Sequence, residues 1–207
     1  MPFIVNGLKI NKPIYEGVFL NAIHVWLQNH WTGTANASTS TLSQDGQVVA
    51  TNLLPTTRLA GPNTTNTSVT QTADGFTITT NTTYTGYGDD HAIYLKNMVV
   101  GETYHFHAET DDVLTTTLPN ASVWVDGFNV YSFSNTYLSS PSVIDKDITA
   151  IAIPYTTRVS FKCGMTAGDH VTWRHIGLYT ASDWQAMQAR GIIGFDGYTY
   201  TRRSINN

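Results

Sequence analysis

Val159-Ser160-Phe161-Lys162-Cys163, Thr166-Ala167-Gly168-Asp169 and His170-Val171-Thr172-Trp173-Arg174-His175-Ile176-Gly177-Leu178-Tyr179-Thr180 read in order as strand, turn and strand. The alternation of apolar with polar side chains in both flanks is the period of a half-buried β-strand, and Gly168-Asp169 supplies the turn. A short helical segment and the tripeptide Phe195-Asp196-Gly197 follow. This succession predicts the closing edge of a β-sandwich with a stub that leaves it, a device that attaches a module to something larger.

Working outward, Phe76-Thr77-Ile78-Thr79-Thr80 alternates in the same way. Further strands are expected at His91 to Leu95, Thr103 to Ala108, Ser122 to Val125, Asn129 to Phe133, Ala150 to Pro154, Thr157 to Lys162 and His170 to Tyr179. Turn signals separate them at Gly86 to Asp90, Gly101, Asp111-Asp112, Asp126-Gly127, Pro141, Gly164 and Gly168-Asp169. About eight short strands so spaced predict an all-β chain, an antiparallel jelly-roll sandwich. It is assigned residues 46–181, between an N-terminal arm and linker over 1–45 and a capped helix with an extended tail over 182–207.

In the arm, Phe3-Ile4-Val5 and Leu8-Lys9-Ile10 flank Asn6-Gly7, a tight hairpin turn. The apolar run from Val18 to Leu27 reads as a short helix or an irregular arm, and residues 32–72 as loop with one or two short strands. Near the other end, Ser182-Asp183-Trp184-Gln185 has the form of a capping box, and Gly191 suits a left-handed helix stop. Residues 192–207 are expected to leave as a tail that needs a partner.

The chain has 207 residues, enough for one domain with a genuine core. Charged residues make up only 13 %, the net charge is −4 and no Lys/Arg cluster occurs, which argues against a nucleic-acid partner. Cys163 stands alone, so no internal disulfide forms, and its strand context predicts a small buried side chain. The N-terminus lacks the charged and apolar regions of a signal peptide, and no run approaches the roughly 20 apolar residues that span a bilayer. The expectation is a soluble product made in the cytoplasm, without membrane insertion. Asn-x-Ser/Thr sequons at Asn36, Asn63, Asn66, Asn81 and Asn120 are what an Asn- and Thr-rich chain produces by chance.

Chemistry-bearing patterns are few. His105, His107 and Glu109 fall at alternate positions and so share one strand face, and with His170 they resemble the ligand set of a cupin. The spacing departs from that motif, so the expectation is polar residues on the wetter face, with no metal and no cofactor. Trp124, Tyr131 and Phe133 are assigned to the core in preference to an aromatic platform, with Val123 and Val125 on the opposite face. If the sandwich binds a sugar, Trp124, Tyr131 and Tyr87 are the candidates. Trp173 is read as core, sharing its face with Val171 and His175. Gly86-Tyr87-Gly88-Asp89-Asp90-His91 has the composition of a Ca²⁺ loop, but a solvated turn is the expected reading. No pair of carboxylates is set across a cleft, and no Gly-x-Ser-x-Gly elbow, P-loop or Cys-His pair occurs, so an enzyme is not expected.

Leu95 to Phe106, with Val100-Gly101-Glu102-Thr103-Tyr104 at its centre, resembles a strand of carbohydrate-binding-module-like jelly rolls, and Gly168 to Tyr179 resembles their last strand. Gly194-Phe195-Asp196-Gly197 is similar to the close of minor tail proteins from bacteriophages of Gram-positive hosts, although Tyr198-Thr199 stands where that family has Asp-Thr. The resemblance spans about residues 70–200 and implies a structural, non-enzymatic component of a virion tail, synthesised in the host cytoplasm. Its implied partners are other tail proteins, copies of itself in a trimer or hexamer, and host cell-wall polysaccharide. Assembly is then expected through Phe19, Trp26, Trp31, Trp184, Phe195 and Tyr198. The alternatives are a free-standing lectin-like carbohydrate-binding module and, third, a cupin-type metal-dependent enzyme.

Overall fold

The computed structural model describes residues 3–5, 8–10, 31–35, 40–44, 47–54, 65–72, 75–85, 91–116, 122–130, 142–152, 157–195 and 200–202. Two antiparallel sheets form a β-sandwich. The larger contains β6 (Thr67–Gln71), β7 (Gly75–Thr80), β9 (Thr103–Leu114), β11 (Ser142–Thr149) and β13 (His170–Thr180), in the order β11-β9-β13-β7-β6. The smaller contains β8 (His91–Tyr94), β10 (Ser122–Asp126) and β12 (Arg158–Lys162), in the order β10-β12-β8. From β7 to β13 every successive strand changes sheet, the interleaved course of a jelly roll.

Alternation dictates the core. Phe76, Ile78, Tyr104, Phe106, Ala108, Ile144, Ile148, Val171, Trp173 and Leu178 point inward from the larger sheet, and Ile93, Val123, Val125, Val159 and Phe161 from the smaller. At the centre, Phe161 meets Phe76 edge-on at 5.2 Å and Trp173 at 5.3 Å, the arrangement that aromatic quadrupoles prefer. Cys163 is buried in this core, and burial pushes its thiol up to about 12.

Several expectations are corrected here. The strand expected at Ala150 to Pro154 lies earlier, at β11, where Ile144 and Ile148 alternate with exposed Asp145 and Asp147. Asp111-Asp112 is not a turn but part of the long strand β9, with Asp112 in a bulge at φ +40°. A second bulge in β13 sets His175 at φ +49°, so Ile176 takes the inward place and His175 leaves the face of Trp173. Trp124 is not core: Val123 and Val125 fill that face, and Trp124 is 41 % exposed on the other.

In place of the loop with one or two short strands expected over residues 32–72, the chain forms the meander β3 (Trp31–Ala35), β4 (Ser40–Gln44) and β5 (Gln47–Asn52), ahead of β6. The hairpin read around Asn6-Gly7 is present as β1 (Phe3–Val5) paired with β2 (Leu8–Ile10). After β13 comes α1 (Ala181–Gln188), capped by Thr180 rather than Ser182. Thr180 ends the strand in extended geometry, so its Oγ1 accepts from the Asp183 N–H at 3.1 Å, while Ser182 lies inside the helix. Gly191 stops the chain at φ +69°.

The segment expected to leave as a tail turns back. β14 (Ile192–Phe195) pairs with β15 (Tyr200–Arg202), and Ile192 and Phe195 are buried. They join Leu42, Ala50, Tyr179 and Met187 in a second apolar cluster, with Val49 and Trp184 at its edge. This cluster forms a third layer over the outer face of the larger sheet, so β9 is buried on both faces near its start.

Asn52 joins that layer to the sandwich. It is fully buried, its Nδ2 donates to the carbonyls of Ile176 (3.0 Å) and Phe195 (2.8 Å), and its Oδ1 accepts from the N–H groups of Leu54 and Leu178 (both 3.0 Å). Tyr179 adds a reciprocal pair, its hydroxyl donating to Phe195 O (2.9 Å) and accepting from Phe195 N–H (3.1 Å). Its ring lies over Gly177, where a Cβ would come within 2.2 Å of the hydroxyl, so the site admits only glycine.

Candidate functional site

On the outer face of the smaller sheet, the same alternation that buries Val123 and Val125 turns Trp124 outward, and the alternation that buries Ile93 turns out Tyr94. Trp124 lies opposite Ser160 on β12, and Ser160 lies opposite Ala92 on β8, one pleat from Tyr94. The two residues therefore stand two strand spacings apart across the sheet and one pleat apart along it, roughly 12 Å between Cα positions. Ser160 and Lys162 lie buried on the strand between them.

The Trp124 ring is fixed rather than free to rotate. Its Nε1–H donates to Ser122 Oγ at 3.1 Å, and the Lys162 ammonium sits 4.4 Å from the ring centroid. Beside it, the Arg158 guanidinium bonds the Asp126 carboxylate and the Tyr94 side chain. The Asp126 bond is the main cause that raises the Arg158 pKa above its ordinary value. Chemically, this face offers two exposed aromatic surfaces with hydroxyl, carboxylate and cationic groups between and beside them.

A second cluster lies on the outer face of the larger sheet, under the third layer. β9 presents His105, His107 and Glu109 at alternate positions, as their spacing requires, and β11 sets Asp147 opposite His105 and Asp145 opposite His107. His105 Nδ1 lies 2.8 Å from Asp147 Oδ1, and its Nε2 bonds Asp145 Oδ1. His107 Nε2 is 3.3 Å from Glu109 Oε1, and His175 Nδ1 is 3.0 Å from Glu109 Oε2. Hydrogen bonding from His107, then from His175, lowers the Glu109 carboxyl to about 2. Trp184 lies flat on His105, with centroids 4.0 Å apart and planes 9° from parallel.

Asp145 is shared by His105 and His107, and Glu109 by His107 and His175, yet among the described residues no group of three His, Cys, Asp or Glu is arranged to hold a metal ion. The cupin-like grouping is also not assembled. His170 stands at the far end of β13, bonded to Gly168 O (3.0 Å) and Asp112 (3.3 Å), which raise its pKa in that order of strength. His175 joins His107 and Glu109 instead, through the bulge.

Of the other residues singled out from the sequence, Tyr87, Tyr131, Phe133, Phe19, Trp26, Tyr198 and the acidic loop at 86–90 lie outside the described residues. Trp31 begins β3. Phe195 and Trp184 are covered within their own chain, by the second apolar cluster and by His105. Sequence reading missed Tyr94, Lys162, Asn52 and the aspartates of β11. Tyr94 was legible as the outward neighbour of Ile93, and Asp145 and Asp147 as the polar phase of a strand set by Ile144 and Ile148.

No family model and no curated protein matches the sequence. Among solved structures, the chain is similar to the N-terminal cellulose-binding domain from Cellulomonas fimi β-1,4-glucanase C. The match has 16 % identity and a TM-score of 0.38, over 55 % of this chain and 82 % of that one.

Proposed function

We propose that this chain is a non-catalytic glycan-binding β-sandwich, and that a sugar chain lies on the outer face of the smaller sheet across Trp124 and Tyr94. The observation that carries this reading is the orientation of Trp124. A large ring, 41 % exposed, is held at its edge by Ser122 and backed by Lys162 instead of joining the core that its immediate neighbours Val123 and Val125 enter. The apolar C–H face of a sugar ring stacks on such a surface, while Asp126, Arg158 and Tyr94 supply donors and acceptors for its hydroxyls. A glycan array of neutral and acidic polysaccharides, run with wild type and Trp124→Ala, tests it. Binding by wild type that the variant loses supports the reading, and a wild type that binds no glycan refutes it.

We propose also that the module serves on a virion tail, as a homo-oligomer beside other tail proteins. Support for this second reading comes from the similarity of Gly194 to Gly197 to the close of such proteins, where it follows a sandwich of the kind that Leu95 to Phe106 and Gly168 to Tyr179 resemble. Size-exclusion chromatography with light scattering tests the oligomer. A closed trimer or hexamer agrees with the reading, and a monomer at high concentration contradicts it.

A further inference from the structure

We infer that the third layer is held to the sandwich by a proton-dependent clamp, in which doubly protonated His105, fixed between Asp145 and Asp147, is the seat on which Trp184 stacks. The inference is independent of the glycan reading and concerns the opposite side of the molecule.

Hydrogen-bond accounting supports it. Ionised carboxylates only accept, and His105 faces one at each ring nitrogen, Asp147 at Nδ1 and Asp145 at Nε2. A neutral imidazole carries a single N–H, so it makes one of these bonds and turns a lone pair toward the other oxygen. The imidazolium makes both. It also places a positive charge 4.0 Å beneath the indole of Trp184, in the parallel arrangement that a cation–π contact uses. Trp184 is the side chain by which α1 reaches β9, and it leans as well on His107 (5.4 Å) and Tyr179 (5.6 Å).

The surrounding charges act in the same direction. Facing the clamp are Asp145 and Asp147 from β11, His107 and Glu109 from β9, and His175 and Tyr179 from β13. From α1, Asp183 is committed to the Thr51 N–H at 3.1 Å. Three histidines thus stand against three carboxylates of the sheet. With the histidines protonated the cluster is near balance, and with them neutral the carboxylates beneath the layer go unbalanced. The contact is therefore fully made in mild acid and weakens as pH rises. Glu109, held at about 2, keeps its charge to far lower pH and leaves the acid side of this window open.

The full chain is tested by hydrogen exchange of the peptide covering residues 181–195, at pH 5.5 and 8.5, corrected for intrinsic rates. Protection is expected to fall by about ten-fold or more at the higher pH, while β7 and β12 keep theirs. His105→Phe keeps a flat ring under Trp184 and cannot titrate, so its protection should respond to pH markedly less than that of wild type. Should that variant fail to fold, Asp147→Asn, which frees Nδ1 from a charged acceptor, should show a markedly smaller pH effect than wild type. Equal protection of wild type at the two pH values overturns the inference. So does a wild-type pH response retained in His105→Phe or, failing that, in Asp147→Asn.

Discussion

Replacing Asn52 with alanine should loosen the third layer from the sandwich. The side chain satisfies Ile176 O, Phe195 O, Leu54 N–H and Leu178 N–H, all around a position with no solvent exposure. Phe195 O keeps its bond from the Tyr179 hydroxyl, so the substitution orphans the other three groups. A buried backbone group left unsatisfied costs roughly 1–3 kcal/mol, and the cavity admits some water, so the expected loss is about 4 kcal/mol. That is a large share of the roughly 5–15 kcal/mol available to a domain of this kind. Urea unfolding followed by circular dichroism measures it. Hydrogen exchange at residues 176–178 and 192–195 shows where the loss falls, with the layer expected to open before the sandwich. Asn52→Asp should be at least as harmful at neutral pH, because it turns an oxygen toward two carbonyls. A loss below about 1 kcal/mol for Asn52→Ala would refute the claim that these bonds join the layers.

Other consequences are more local. Gly177→Ala should cost about 2 kcal/mol or more in thermal unfolding, since the new Cβ would displace the Tyr179 ring and its bonds to Phe195. Cys163, with its thiol pushed up to about 12 by burial, should resist a thiol reagent at pH 8 in the folded protein and react once urea unfolds it. Glu109, lowered from 4.5 to about 2, contributes stability that is complete above its unfolded value and is lost as pH falls through about 2. Glu109→Gln should accordingly lower stability by at most about 2 kcal/mol at pH 5, allowing for solvent at a partly exposed group, and by much less at pH 2.5.

What the sequence disclosed follows from what periodicity can carry. The sandwich was legible because strands such as Phe76 to Thr80 have one dry and one wetter face, and alternation states that directly. The third layer was not legible, because β3 to β5 are short, polar strands whose apolar content is little more than Leu42, Val49 and Ala50. They are joined to the sandwich through a buried asparagine, and no local pattern marks Asn52 among the many asparagines of the chain. The bulges at Asp112 and His175 also escaped, since one extra residue reverses the facing of all that follow and leaves composition unchanged. Trp124 shows a related limit. Alternation correctly set it against Val123 and Val125, but it does not say which of two apolar faces is inside. The two valines turn inward beside their cross-strand partners Phe161 and Val159, and the tryptophan stays out.

The most direct test of the glycan-binding face is a titration of the full chain with the best array ligand, followed through the tryptophan indole N–H resonances. The Trp124 signal, bonded to Ser122, should shift progressively and saturate, together with backbone signals of Tyr94 and Ser160, while buried Trp173 stays fixed. Trp124→Ala should weaken binding at least ten-fold with the sandwich intact. Saturable glycan binding that leaves Trp124 and Tyr94 unmoved, or that survives Trp124→Ala unchanged, would contradict the account.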